Sequence, residues 1–135
     1  MTVRRRHCRA GLAILYTLAG ILHIALPGPF LNITPAWVPY PHHVILFTGV
    51  CELLGAAGLF LPALRASAGI GLALYAICVY PANIKHAIDN LSGGDASLWL
   101  WLYHIIRLPL QPVLAWLALY AGRVITWPFS ARARD

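Results

Sequence analysis

Two ionisable residues, Glu52 and Arg107, stand inside long apolar runs of the sequence. An ionisable side chain at the centre of a membrane-spanning helix costs about 2.5–3.5 kcal/mol on insertion scales, so each of them requires a partner or a function. If both runs are helices, Glu52 and Arg107 each lie about nine residues from the outer end of their span, which places them at a similar depth. The sequence therefore predicts that they form an ion pair.

Further polar residues fall near the same depth. His104, Arg107 and Gln111 lie within about 60° of one another on a helix, because successive residues are about 100° apart. His23 lies near the outer end of the first apolar run, and Asn83 follows the third. Each of the four apolar runs thus contributes at least one polar side chain to the outer half of the molecule.

The sequence leaves two interpretations of this polar cluster open. In the first, Glu52 and Arg107 neutralise each other and fix the register of the helices, which buried ionic groups can do without any chemistry. In the second, the cluster lines a pocket in which a quinone headgroup accepts hydrogen bonds from His23, Arg107 or Gln111. No catalytic residue is assigned, since a lone glutamate within a membrane does not make a catalytic acid.

A haem or metal site is a third alternative, since five of the six histidines fall in or near the outer half of the predicted spans. His23 and His104 lie on different runs at compatible depths, as axial haem ligation requires. The sequence, however, contains no Cys-x-x-Cys and no His-x-x-x-His within one span. Imidazoles at a membrane interface more often bond to water and loops, so we expect no metal or haem here.

The composition explains why these polar residues are conspicuous. The chain has 135 residues, of which 60% are hydrophobic and only 10% are charged, and its mean hydropathy is +0.71. A bilayer core about 30 Å thick needs about 20 apolar residues per helix, so the chain has room for four spans and short connections. We predict an all-α integral membrane protein, a four-helix bundle forming one domain over residues 1–135. The predicted spans are residues 10–26, 43–61, 66–81 and 98–121, separated by loops over residues 27–42 and 81–97 and by a tight turn at Arg65.

The basic residues predict the orientation. Four arginines precede the first span, Arg65 lies in the turn after the second, and Arg123, Arg132 and Arg134 follow the fourth, whereas the two opposite loops contain only Lys85. Cytoplasmic loops are enriched in lysine and arginine, so both termini are predicted to be cytoplasmic. The net charge of +6 is therefore interpreted as a topology signal, and no nucleic-acid partner is expected.

Glycines in the middle spans predict close helix packing. Gly49, Gly55 and Gly58 occur in the second span, and Gly69 and Gly71 in the third. Small residues let helix backbones approach closely in a membrane, so we expect Gly55 and Gly58 to face another helix.

Five segments of the chain resemble the DoxX-like family of small membrane proteins. They occur in the family's order and are residues Ala19 to His23, Ile33 to Pro39, Gly49 to Gly55, Tyr80 to Asn83 and Arg107 to Gln111. The chain departs from the family pattern at Tyr80, where phenylalanine is usual, in the longer aromatic stretch before Arg107, and at Pro112, which is expected to distort the helix after Gln111.

The resemblance implies a four-helix protein of the bacterial inner (plasma) membrane. Because the family is named for a membrane subunit of a thiosulfate:quinone oxidoreductase, it also implies a redox-associated subunit that binds quinone and works with a redox partner protein. The family's recurrent polar residues fall on His23, Glu52, Asn83, Arg107 and Gln111. A non-catalytic bundle that binds lipid or another hydrophobe, or an assembly factor, is the alternative, since shared fold does not transfer function.

Overall fold

The computed structural model describes residues 3–127, and all regular structure in that range is helical. The predicted all-α class is therefore confirmed. Arg132 and Arg134, which contribute to the predicted orientation, lie outside the described residues. The helices are α1 (Val3–Ala25), α2 (Pro27–Ile33), α3 (Pro41–Gly58), α4 (Arg65–Cys78), α5 (Tyr80–Leu91) and α6 (Leu98–Ala121).

Three helical stretches within residues 3–127 are long and apolar enough to cross a membrane. They are α1, α6 and the nearly continuous stretch Arg65–Leu91, which contains α4 and α5. Helix α3 has 18 residues and begins with Pro41, His42 and His43, and these three residues lower its apolar character. The predicted first span corresponds to α1, but α1 begins earlier, so the N-terminal arginines lie on its first turns.

Helices α1, α3, α4 and α6 pack around one core. Helix α1 contacts α3 and α6, and α4 contacts the same two helices. Arg5 donates a hydrogen bond to the carbonyl of Ile125 at 3.2 Å, and Arg9 donates one to the carbonyl of Ala121 at 3.3 Å. The start of α1 and the segment after α6 therefore lie at the same end of the molecule.

Glycines set the closest backbone approaches. A Cβ atom on Gly20 would lie 2.8 Å from the carbonyl oxygen of Gly49, so α1 and α3 meet almost backbone to backbone. Gly55 and Gly58 face Leu72 and Ala68 of α4, which confirms that both pack against another helix. Gly71 has open space around it and has no such role.

Two segments predicted as loops are largely helical. Helix α2 begins at Pro27 and α5 has Pro81 in its first turn. Proline is tolerated at these positions because the first N–H groups of a helix have no partner within it. Pro109 and Pro112 do not interrupt α6, which runs without a break through Ala121. The helical form of residues 80–91 matters for the site, because α5 packs its polar side chains against α6.

Candidate functional site

A cavity of about 320 Å³ lies in the half of the molecule opposite the chain ends. Its walls come from all six helices, and four residues of the segment after α2 also border it: Thr34, Pro35, Trp37 and Val38. Most of the lining is apolar, from side chains such as Leu15, Ile45 and Leu110. The imidazole, hydroxyl, charged and amide side chains in the wall are those of Tyr16, His23, Thr34, Thr48, Glu52, Tyr75, Asn83, Arg107 and Gln111.

Glu52 is the most buried charged group in this wall, with 2% of its surface exposed. Nδ1 of His23 lies 2.8 Å from Oε2 of Glu52 and 2.9 Å from the carbonyl oxygen of Ala19. Both neighbours are acceptors, so Nδ1 carries the ring proton. The ring of His23 also stacks on Phe30, with 3.8 Å between centroids. This contact holds the imidazole between α2 and the carboxylate.

Oε2 of Glu52 retains the capacity to accept a hydrogen bond. Nδ1 of His23 lies within hydrogen-bonding distance of both the Ala19 carbonyl oxygen and Oε2 of Glu52, so its one N–H is shared between two acceptors. Oε2 itself has almost no exposed surface. Tyr75 lies close enough to interact with Glu52 as well. The cavity wall therefore contains a buried carboxylate, which can accept more hydrogen bonds than the His23 N–H alone supplies.

The predicted Glu52–Arg107 ion pair is wrong. Among residues 3–127 the ion pairs are His23–Glu52 and Lys85–Asp89. Arg107 instead donates from Nη1 to Nδ1 of His86 at 2.7 Å. The prediction that Glu52 and Arg107 lie at a similar depth agrees with the structure, since both residues line the cavity. Depth does not specify the direction of a side chain around the helix axis. The partner of Arg107 comes from α5, a segment that was predicted to be a loop.

Asn83 and Gln111 form a hydrogen-bonded link across three helices. Nδ2 of Asn83 donates to Oε1 of Gln111 at 3.0 Å, and Nε2 of Gln111 donates to the carbonyl of Ala76 at 2.9 Å. All three groups are buried. This link joins α5, α6 and α4, so these amides stabilise the cavity wall as well as lining it.

His104 is separate from the other predicted site residues. It is 1% exposed, and its Nε2 lies 3.1 Å from Nδ2 of Asn90. Its ring packs on His86 with 4.9 Å between centroids, and it is not among the residues that line the cavity. His23 and His104, the two histidines of the haem alternative, therefore do not face a common cavity. Among residues 3–127 there is no cluster of three or more metal-ligating side chains.

Sequence reasoning missed His86, Asn90 and Tyr75. Asn83, His86 and Asn90 follow the spacing i, i+3 and i+7, which places them on one face of a helix. This spacing could have predicted that the segment is a helix with one polar face. Tyr75 gave no signal, because a tyrosine in an apolar run is ordinarily a packing residue.

The fold and the site define a class of protein: an all-α chain with membrane-length helices around a largely apolar cavity that contains a few polar side chains. Residues 12–122 match the family described as a domain of unknown function (DUF8561), and the chain belongs to that family. No curated protein and no solved structure matches the chain. The DoxX-like resemblance therefore stays a prediction.

Proposed function

We propose that the chain is a four-helix bundle of the bacterial inner (plasma) membrane in which α3 is the fourth crossing helix. Two observations support this architecture: α3 packs between α1 and α4, and both ends of the described chain lie at one end of the molecule. The arginines concentrated at that end support a cytoplasmic position for it. In this orientation the cavity lies in the outer half of the membrane.

The ligand proposed for the cavity is a small, largely apolar molecule with a carbonyl or hydroxyl headgroup, and a quinone is the leading candidate. The observation that supports this is a largely apolar cavity whose wall also contains the Glu52 carboxylate, the Arg107 guanidinium and the Gln111 amide. A volume of 320 Å³ is at the lower end of the range of roughly 300–1,000 Å³ for ligand sites. A ring-sized headgroup suits that volume.

Hydrogen-bond chemistry also fits a quinone or quinol. Glu52 can accept from a quinol hydroxyl, and Arg107, with five N–H donors, can donate to a carbonyl while still contacting His86. In the redox interpretation the chain positions the quinone, and a partner protein exchanges electrons with it. The alternative is a non-catalytic bundle for lipid or another hydrophobe, or an assembly factor, and the apolar lining supports binding in either case.

Ubiquinone-1, a short-tailed quinone, tests this proposal. We expect it to raise the Tm of the purified protein in neutral detergent, because a ligand that binds only the folded state stabilises it. Ala82→Leu, which adds volume inside the cavity, should abolish the shift. Ala57→Leu makes the same change at an exposed position of α3 and should leave the shift intact.

Lipid extraction and mass spectrometry of the same proteins provide the second readout. Quinone that co-purifies with the wild type and with Ala57→Leu but not with Ala82→Leu would support the quinone assignment. A phospholipid or another apolar molecule with that same pattern would favour the non-catalytic alternative. If ubiquinone-1 shifts the Tm of all three proteins equally, its binding is not in the cavity and the proposal is wrong.

A further inference from the structure

Arg107 has no carboxylate partner in the part of the chain that the structure describes. Its side chain is half-buried, its hydrogen-bond partner is the imidazole of His86, and both ion pairs involve other residues. Since Nδ1 of His86 accepts from the guanidinium, His86 is neutral and its proton lies on Nε2. A cation at membrane depth without a counter-charge is costly, so the site favours an anion.

A second pocket lies beside this cation. It has a volume of about 420 Å³ and is bordered by α2, α5 and α6. It adjoins the cavity described above, because Phe30, Ile33 and Arg107 line both. We call it the α5–α6 pocket; the polar residues in its wall are Asn32, His86, Asp89, Asn90, Tyr103 and Arg107.

Most of the polar groups in the α5–α6 pocket can donate hydrogen bonds. Arg107 has four N–H groups beyond the one that contacts His86, and His86 offers Nε2–H. The side chains of Asn32, Asn90 and Tyr103 add amide and hydroxyl donors. The guanidinium carbon of Arg107 lies 5.5 Å from the centre of the Tyr103 ring, a contact that orients its plane. Asp89 is the one carboxylate among these six residues, and it is paired with Lys85.

We infer that the α5–α6 pocket binds a compact oxyanion of the phosphate class through Arg107 and His86. Guanidinium groups bind phosphate and carboxylate oxygens through parallel N–H donors, and a neighbouring N–H donor adds geometric specificity. The oxyanion would supply the counter-charge that Glu52 does not supply, since Glu52 contacts His23. Two sources share this chemistry: free phosphate and the headgroup of an anionic phospholipid.

Two measurements distinguish the sources. Native mass spectrometry of protein equilibrated with equal amounts of phosphatidylglycerol and phosphatidylcholine reports lipid preference, and a Tm titration with inorganic phosphate at constant ionic strength reports the free ion. Arg107→Gln removes the cation. Arg123→Gln removes an exposed arginine at the other end of the molecule and is the charge-matched control. His86→Phe gives an independent variant if Arg107→Gln does not fold.

Phosphatidylglycerol enrichment in the wild type and Arg123→Gln, lost in Arg107→Gln and His86→Phe, would support headgroup binding. A saturating, phosphate-dependent rise in Tm with the same variant pattern would support free phosphate. Absence of both effects from the wild type, or their persistence in Arg107→Gln, would overturn the inference. Ala82→Leu separates this inference from the proposed function, because that variant should lose the ubiquinone-1 shift and retain anion binding.

Discussion

Nδ1 of His23 lies 2.8 Å from Oε2 of Glu52 and joins the last turns of α1 to the middle of α3. The contact is buried on both sides and forms part of the cavity wall. Glu52 is therefore in contact with an imidazole of α1, the helix against which α3 packs most extensively, and Arg107 contacts His86 instead.

The first prediction concerns the energetic coupling of this pair. His23→Ala should destabilise the protein by about 3–5 kcal/mol, because it leaves a buried carboxylate without its partner. Combining it with Glu52→Gln should cost less than the sum of the two single losses. The free energy of unfolding is measured by reversible unfolding in mixed detergent for the wild type, the two single variants and the double variant. The sequence alone predicted Arg107 as the partner of Glu52, whereas this expectation follows from the observed contact between His23 and Glu52.

A parallel cycle with Glu52→Gln and Arg107→Gln provides the control. Residues that do not contact each other have nearly additive effects, so its coupling should be smaller than that of His23 and Glu52. A larger coupling between Glu52 and Arg107 would restore the ion pair that the sequence predicted.

The second prediction contrasts two glycines of α4. A Cβ on Gly69 would lie 2.7 Å from the carbonyl oxygen of Ala118, whereas one on Gly71 meets no atom. Gly69→Ala should therefore separate α4 from α6 and lower the free energy of unfolding, by about 1–3 kcal/mol for an overpacked contact. Gly71→Ala is the matched control and should be neutral or slightly stabilising. Equal stability of the two variants would argue against the close α4–α6 approach.

The third prediction concerns the amide link at Gln111. Gln111→Leu should cost about 1–3 kcal/mol, because it leaves the Asn83 amide and the Ala76 carbonyl without their partner. Val113→Ala, at an exposed position of the same helix, should cost less. Thermal unfolding of the two variants compares their stabilities. If Val113→Ala proves the more damaging change, the link contributes little to the wall.

The fourth prediction is topological. A reporter fused after Gly94 should behave as periplasmic, and reporters at Arg65 or after Arg134 should behave as cytoplasmic, because of the arginine distribution. Alkaline phosphatase and green fluorescent protein, fused in turn at each position, report whether that position is periplasmic or cytoplasmic. A periplasmic C terminus would mean that α3 does not cross the membrane.

Hydropathy and charge predicted much of the fold because they are properties of whole segments. The helical class and the positions of α1 and α6 could be predicted in this way, and the small size of Gly55 and Gly58 predicted their packing against another helix. Helix α5 was missed because Pro81 and its polar residues resemble a loop, although proline is acceptable in a first turn.

The candidate site was predictable only in part. Five of the six predicted polar residues line the cavity, since depth along a helix follows from sequence position. Partner choice could not be predicted, because it depends on rotation about each helix axis: His23 turned out to face Glu52, and Arg107 faces His86. That rotation is set by close contacts such as Gly20 against Gly49, which a single sequence does not reveal.

Photolabelling with an azidoquinone tests the central claim, quinone binding in the cavity, most directly. After illumination of the purified protein, mass spectrometry of its peptides locates the label. We predict labelling of cavity residues that excess ubiquinone-1 prevents, at positions such as Tyr16, Ile45 and Leu110. Labelling confined to exposed apolar residues such as Ile14, Leu54 and Ile106, unchanged by excess ubiquinone-1, would contradict the account.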